Sequence, residues 1–298
     1  MKVGIVANIT KENIIEIVSS FTAKLKENNI EYILTKSLFE FNGKFKIELA
    51  EEFIAEDDEL YQKCDVVVSI GGDGTMLNTA FNALKYDKPV LGLNVGKLGF
   101  LVEAELSQMD YIIDCLKNKK YVIDERIVIS GNIFGSKEEE IIAFNDIVID
   151  KGGWPKMIEL NIWVDNEYVT TFNADGIIVA TPTGSTGYSI SVGGPIISPK
   201  ADVVSLSPIS PHSLTVRPLV LPSYQEILIK ADSLHIDVQV SCDGQRAYSV
   251  PPPLEIRIKK SEKKLKLIQT SVSTYFSTLR KKLLWGIDTR HSNKDNSK

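Results

Sequence analysis

The stretch that decides the fold is Val66–Thr75, VVVSIGGDGT. Val66–Ile70 is a short apolar run rich in β-branched residues, the signature of a strand buried on both faces of a parallel sheet. Gly71, Gly72 and Gly74 then let the backbone turn sharply and bring its N–H groups close to a ligand. Thr75 is placed to cap the next helix, expected over Met76–Lys85. Strand, glycine turn and helix in this order cradle phosphate, because free N–H groups and the helix dipole both favour an anion. Asp73 is the odd member, since a carboxylate repels phosphate. An isolated Asp-Gly pair is an ordinary turn. Between a buried strand and a double glycine, Asp73 reads instead as a general base or metal-organising carboxylate beside a phosphate.

Composition sets the class. The chain has 298 residues, enough for two domains, with 43% hydrophobic and 24% charged residues, as in ordinary soluble proteins. A net charge of −5 argues against a nucleic-acid surface. With no apolar run of eighteen residues, no membrane span is expected, and a strand at the very N-terminus argues against a signal peptide. Cys64, Cys115 and Cys242 form no CxxC pair, and their odd number fits a reducing cytoplasm. With only His212, His235 and His291 and no HExxH, a histidine-built zinc site is not expected.

Strands alternate with helices over roughly residues 1–120. Lys2–Ala7 reads as a strand, followed by a helix from a Thr10 cap to about Glu27 carrying Ile14, Val18, Phe21 and Leu25 at helical spacing. Ile30–Leu34 is a strand, Ser37–Gly43 a loop and Ile47–Tyr61 an acidic helix. After the glycine stretch, Pro89–Val95 is a buried strand, Gly96-Lys97-Leu98-Gly99 a turn, and Ser107 with Asp110 opens a helix ending near Lys117. This pattern predicts a Rossmann-like parallel α/β domain. From Tyr121 to about residue 270 short strands follow one another: Tyr121–Phe134, Ile141–Asp150, Glu159–Val164, Tyr168–Phe172, Gly176–Ala180, Val203–Leu206, Glu226–Lys230, Asp237–Ser241 and a last pair, Leu254–Lys259 with Lys264–Gln269. Asp165-Asn166-Glu167 and Asp243-Gly244 are hairpin signals. A mostly-β sandwich domain is expected here. Ser273 caps a last helix, to about residue 291, whose Phe276, Leu279, Leu283 and Leu284 share one side. Such a helix needs a surface, and it is expected to return to the first domain. Ser292–Lys298 is a polar tail read as disordered.

The second dense cluster is Asn173–Pro199, NADGIIVATPTGSTGYSISVGGPIISP. Small hydroxyls and glycines at the end of an apolar strand suit a polar, sugar-bearing ligand, and an ordered binding loop is the better reading than a featureless Gly/Ser loop. Other motifs are near misses. Gly92–Leu98, GLNVGKL, lacks the spacing and Ser/Thr of a Walker A loop. Gly187–Ser191 lacks the second glycine of a hydrolase elbow, and neither HRD nor DFG is present. His212 reads as structural, and Lys97 as a solvated turn lysine rather than a phosphate ligand.

Taken together these residues resemble the NAD kinase family. GGDGT alone is shared with lipid kinases and, more loosely, 6-phosphofructokinases. The long element ADGIIVATPTGSTGYSISVGGPI, with PHSLTVRPLVLP and SCDGQ behind it, is far more specific. The resemblance implies transfer of a phosphoryl group from ATP, or from polyphosphate, to the 2′-OH of the adenosine ribose of NAD. It also implies a divalent metal, usually Mg²⁺, held mainly through the donor, and a homodimer or homotetramer built through the β domain. It makes Asp73 the proton acceptor, with Gly71, Gly72, Gly74 and Thr75 the phosphate-donor loop and Gly74 also beside NAD. Asn145 and Asp146 match an Asn-Glu pair that holds the ribose and adenine side. Asp175 matches an NAD-contacting Asp, and Thr186, Gly187, Tyr188, Ser189, Ile190 and Ser191 match the dinucleotide loop. Gln245 matches the Gln of a DGQ turn, and Lys156 falls where a basic residue often lies. This sequence departs from the family pattern at Asp146 for Glu, Gly187 for Ala, and Asn173 where many members have Arg; Asn173 is carried over as an NAD contact without that charge.

The chemistry agrees with the resemblance. A secondary ribose hydroxyl is a weak nucleophile that must lose its proton as the phosphoryl group arrives. One carboxylate among phosphate-binding amides then has a purpose. Two other readings follow from the same residues: another kinase sharing the glycine loop, such as a lipid kinase, and a non-catalytic dinucleotide sensor.

Overall fold

Every residue of the strand Val66–Gly71 is buried, as a β-branched run sandwiched between helices requires. In the computed structural model, which describes residues 1–42, 54–96, 99–102, 104–134, 139–234 and 237–286, this strand is β4. Around it lie β1 (Lys2–Ala7), α1 (Ile14–Glu27), β2 (Glu31–Thr35), α2 (Lys36–Asn42), β3 (Ile54–Ala55), α3 (Asp57–Lys63), α4 (Asp73–Lys85), β5 (Val90–Asn94), β6 (Ala104–Glu105), α5 (Met109–Lys117) and β7 (Val122–Arg126). The chain divides into two units, Met1–Asp124 with everything from Lys266 onward, and Glu125–Leu265.

The first unit is built on one sheet in the order β3-β2-β1-β4-β5, continued by β20 (Leu265–Gln269) and β7, with β6 also on β5. The pairings of β1 with β2 and β4, of β2 with β3, and of β5 with β4, β6 and β20 are all parallel. On one face Val3, Ile5, Val68 and Ile70 pack with Phe21 and Leu25 of α1 and Ile112 and Leu116 of α5. The strand order reverses between β1 and β4, and ligands of open α/β sheets bind outside the carboxyl ends of the strands at such a point. The Asn8 N–H, just past β1, donates to the Ile70 carbonyl at 3.0 Å, and the glycine turn begins one residue later.

The second unit comprises β8 (Ile129–Phe134), β9 (Glu139–Ala143), β10 (Asp146–Asp150), β11 (Ile158–Val164), β12 (Glu167–Ala174), β13 (Gly176–Ala180), α6 (Tyr188–Ser191), β14 (Val203–Ile209), β15 (Leu219–Pro222), β16 (Ile227–Asp232), β17 (Val238–Cys242), β18 (Arg246–Val250) and β19 (Leu254–Lys260). They form two six-stranded antiparallel sheets, β15-β14-β13-β10-β17-β18 and β12-β11-β16-β19-β8-β9. Alternate residues of both sheets, among them Ile147, Ile149, Ile177 and Val179 from one and Leu160, Ile162, Ile229 and Ile256 from the other, share a single core, which makes a sandwich. The intervening residues Val148, Ile178, Ala180 and Ile209 form a second apolar cluster with Val192. Apolar burial on both faces explains why β13 reads as a continuous apolar run rather than an alternating one.

Several expectations change. The first helix starts at Ile14, not after Thr10, because Thr10 donates its N–H and hydroxyl to Asn8 Oδ1 in a turn. The helix after the glycine turn starts at Asp73, with Gly72 as its cap and no side-chain cap, so Thr75 lies inside it. A helix replaces the loop expected after Ser37. Of the acidic helix expected over residues 47–61, residues up to 53 lie outside the described ones, and the rest is β3 and α3, the latter running to Lys63. Lys97, Leu98, His235, His291 and the polar tail also lie outside them. A 3-10 turn, Leu106–Gln108, closed by a capping box between Glu105 and Gln108, precedes α5 in place of the Ser107 start. Tyr121–Phe134 and Ile141–Asp150 are each two strands lying in two different sheets, and β15 and β18 went unread. The segment after Lys264 leaves the β unit altogether: Leu267 registers with Val90 of β5.

The last helix, α7 (Tyr275–Leu283), belongs to the first unit. Its cap is Thr274, in a capping box with Ser277, rather than Ser273. The expected apolar side is not buried as a whole. Leu279 is 2% exposed, but Phe276 and Leu284 are 58% and 55% exposed, so one leucine and Thr278 anchor the helix.

Candidate active site

The glycine turn puts Asp73 at the first position of α4, where the positive end of the helix dipole favours a carboxylate. Its two oxygens are held separately: the Phe100 N–H donates to Oδ2 at 2.8 Å and the Leu101 N–H to Oδ1 at 3.0 Å. Lys282 Nζ of α7 lies 3.6 Å from Oδ2, and the Asp73 side chain stays 31% exposed. Each carboxylate oxygen has two lone-pair directions. One amide on each oxygen fixes the orientation and leaves a direction that can accept a hydroxyl proton. The segment that supplies the amides approaches through Gly99, where an added Cβ would stand 1.9 Å from Asp73 Oδ1. Gly99 is therefore a site residue that sequence reading passed over as a turn. Gly72 offers the opposite case, since nothing lies within 4 Å of its missing Cβ. That open side lets a ligand reach the backbone. The Gly71 carbonyl accepts from Val95 at 3.0 Å, tying the turn to the end of β5, and a Cβ on Gly71 would collide with Thr75.

In the second unit Asn145 and Asp146 form the corner between β9 and β10. The corner exists because one carboxylate gathers three consecutive amides: Asp243 Oδ1 accepts from Phe144 at 2.9 Å, Asn145 at 2.7 Å and Asp146 at 3.4 Å. Arg246 pairs with Asp243 Oδ2 at 2.8 Å and donates to the Ile142 carbonyl at 2.8 Å. In the sequence Asp243 carries only a hairpin signal. Its positive φ of 55° and Gly244's 64° give that hairpin, while the buried side chain holds the corner. Gln245 sits in the same turn, its N–H on the Cys242 carbonyl at 3.0 Å.

The hydroxyl-rich loop packs against this corner. Thr181 donates its N–H to the Asn145 carbonyl at 2.8 Å and its hydroxyl to the Phe144 carbonyl. Gly184 comes so close that its Cβ would stand 2.0 Å from the Asn145 carbonyl oxygen. The Tyr188 N–H hydrogen-bonds the Asp146 carboxylate. Burial, and secondly the charge of Asp243, push the Asp146 carboxyl up to about 7. Burial also raises Asp243, against the pull of its three amides and Arg246. Both carboxyls are thus raised, and of the two only Asp243 has a cation partner, Arg246. The hydroxyls divide by role. Ser185 bonds the Pro182 carbonyl and the Ile197 N–H, and Ser189 shares a 3.0 Å bond with Ser207, so both are internal. Thr186 donates to the Thr183 carbonyl at 3.3 Å. Tyr188 is 47% exposed, Ile190 is half-buried and Ser191 exposed. At Gly187, the alanine of the family pattern would press on the Gly184 carbonyl oxygen at 3.1 Å and touch Asp146 Oδ2 at 3.7 Å and Asn145 Nδ2 at 3.8 Å.

The remaining site candidates lie elsewhere. β10 and β13 are antiparallel, with Asp146 opposite Ala180 and Asp150 opposite Gly176. Asp175 therefore stands at the far end of β13 from the loop, roughly 17 Å of strand away. It pairs with Lys151 Nζ at 2.6 Å. Asn173 and Lys156 line a cleft of about 240 Å³ with Trp154, Glu159 and Asp232. The structure thus gathers Asn145, Asp146, Gln245 and the 186–191 loop in one place, and Lys156, Asn173 and Asp175 at the other end of the strand.

Among the described residues no group of three or more His, Cys, Asp or Glu side chains is placed to hold a metal. No helix among them is long and apolar enough to cross a membrane, and all three cysteines are buried and unpaired.

Comparison with known proteins agrees with both halves. Residues 3–121 match the ATP-NAD kinase N-terminal domain and residues 144–270 the ATP-NAD kinase C-terminal domain. The chain is 38% identical over 290 residues to an NAD kinase of Chlorobium phaeobacteroides, covering 96% of this chain and 98% of that one. It is 43% identical over 228 residues to an NAD kinase of Clostridium botulinum, covering 76% and 81%. Among solved structures it resembles yeast NADH kinase complexed with NADH, with a TM-score of 0.87 at 25% identity over 98% of this chain and 90% of that one. It also resembles an NAD kinase from Archaeoglobus fulgidus in complex with ATP, with a TM-score of 0.71 at 26% identity over 94% and 99%. The reversal point of the parallel sheet, the oriented carboxylate in its glycine turn and the matches along both units make this chain a member of the NAD kinase family.

Proposed function

We infer that the protein transfers a phosphoryl group from ATP to the 2′-hydroxyl of the adenosine ribose of NAD, giving NADP. The observation that carries this reading is Asp73, a part-exposed carboxylate aimed by two amides in a glycine turn at the carboxyl end of β4. In such a transfer the protein supplies position and charge, and one group must take the hydroxyl proton. Asp73 takes it. The amides of the Gly71–Thr75 turn and the N-terminus of α4 receive the donor's phosphates. Asn145 and Asp146 hold the ribose. A protonated Asp146 can donate to a ribose oxygen as well as accept, a capacity the Glu of the family pattern would reach from one methylene further.

Mg²⁺ would be held mainly by the donor's phosphate oxygens at the glycine turn, where it would neutralise phosphate charge. Asp175, Asn173 and Lys156 contact NAD from the far end of β13. That placement favours a homodimer or homotetramer in which one copy's far end meets the loop of its partner. Buried, reduced cysteines fit a cytoplasmic enzyme.

The test is purified protein with NAD, Mg²⁺ and either ATP or polyphosphate, assayed for NADP. NAD-dependent formation of NADP and ADP supports the reading. NAD binding without NADP would make the protein a sensor, and ADP release that needs a lipid acceptor instead would make it a different kinase.

A further inference from the structure

Lys282 has no part in the proposed transfer, yet among the described residues it is the cation paired with Asp73. Its Nζ stands 3.6 Å from Asp73 Oδ2 and 4.5 Å from the centroid of the Phe100 ring. Phe100 is also the residue whose N–H holds that same oxygen at 2.8 Å. Three elements distant in sequence, the start of α4, the segment around Phe100 and the end of α7, therefore converge on one carboxylate oxygen. A basic last turn is common for helices, because cations there oppose the dipole. That accounts for Arg280 and Lys281 in the same turn. It does not account for an ammonium set over an aromatic face beside another element's carboxylate.

We propose that Lys282 is a positioning residue for the phosphate donor, balancing Asp73 while the site is empty and turning to the donor's phosphate oxygens when they occupy the glycine turn. The proposal rests on the kinase reading and deepens it. At 3.6 Å the Lys282–Asp73 contact is electrostatic and longer than a hydrogen bond. The ammonium therefore keeps donors to offer, and the ring of Phe100 steadies it without consuming an N–H. A lysine is a compact charge on a flexible stem with three donors, suited to moving between two anions a few ångströms apart. Asp73 by itself would repel the phosphates its neighbouring amides attract. A cation within reach of both removes that conflict without neutralising the base. The helix that carries Lys282 is anchored chiefly by Leu279 and Thr278, one turn before it, and Leu283 beside it is half-buried.

The experiment compares the parent with Lys282→Met, which keeps the stem and removes the charge, and with Lys282→Arg, which restores it. It measures kcat, KM for ATP at saturating NAD, a direct binding constant for NAD, and a binding constant for a non-hydrolysable ATP analogue with Mg²⁺. The expected result is a KM for ATP and a dissociation constant for the analogue both raised on the order of tenfold in Lys282→Met. NAD affinity should change less than twofold, and Lys282→Arg should recover most of the loss. Unchanged ATP parameters in Lys282→Met overturn the proposal. So does a loss shared equally by NAD and the analogue, together with a lowered melting temperature in both variants, which would make Lys282 structural. If the parent binds the analogue but makes no NADP, the acceptor is wrong and the Lys282 proposal is still read from the analogue. If the parent binds no analogue, both fall.

Discussion

Asp73 is useful only in one orientation, and Gly99 guards it. Gly99→Ala would place a carbon 1.9 Å from Oδ1, forcing the carboxylate or the 99–101 segment aside. Misplacement by about 1 Å costs on the order of 10² in rate, so kcat/KM should fall by that order while NAD affinity holds. Asp73→Asn leaves the shape and removes the basicity. Loss of a general base costs roughly 10²–10⁴, read as kcat beside a binding constant for NAD in parent and mutant. Near-normal turnover would rule out the base role, and NAD binding that collapses in step with rate would make Asp73 a positioning residue. Asp146 gives a prediction of a different kind. Its carboxyl is raised to about 7 by burial and by Asp243, so the folded state binds this proton more tightly than the unfolded one. Its contribution to stability is present at low pH and is lost as pH rises from about 4 through 7. Asp146→Asn carries no charge to lose. In urea denaturation it should gain on the parent as pH is raised from 5 to 8, and a pH-independent difference between the two would refute the raised carboxyl.

At the scale of elements, α7 shows how a periodic pattern can mislead. Phe276, Leu279, Leu283 and Leu284 fall on one side, and all were expected to be buried. Of these, Leu279 is fully buried and Leu283 half-buried, while Phe276 faces solvent. Leu279→Ala should therefore destabilise by about 2–5 kcal/mol, and Phe276→Ala by roughly 0.5 kcal/mol or less. Equal shifts in denaturation midpoint would contradict this burial. The corner at Phe144–Asp146 teaches the converse. Asn145 and Asp146 are poor strand formers, but that alone does not fix a corner. Asp243, about a hundred residues later, breaks it by taking three amides that a continuous strand would give to a neighbour.

At the scale of the whole molecule the question is where Asp175 acts. It stands at the opposite end of β13 from the 186–191 loop, and β10 fixes that register. If one copy's Asp175 completes its partner's site, co-expressed Asp73→Asn and Asp175→Ala chains should form mixed oligomers with activity that neither mutant has alone. Light scattering should then give a dimer or larger for the parent. A monomer, or a mixture with no recovered activity, would place Asp175 outside the NAD site.

Local pattern was enough for the two kinds of architecture. A β-branched run ending in glycines admits little but a buried parallel strand and a phosphate-type turn, and short strands with turns after Tyr121 admit little but antiparallel sheets. Local chemistry sufficed there because period and turn residues act over a few positions. The sequence also made Asp73, Asn145, Asp146 and the 186–191 loop candidates, through motifs long enough to carry a family resemblance. Contacts distant in sequence were decided only by tertiary structure. β20 joins β5 rather than its hairpin neighbour, Gly99 and Lys282 converge on Asp73, Asp243 builds the corner under Asn145, and Ser189 is bonded inward. Each depends on which surfaces meet after the chain has folded, and neither periodicity nor propensity records that.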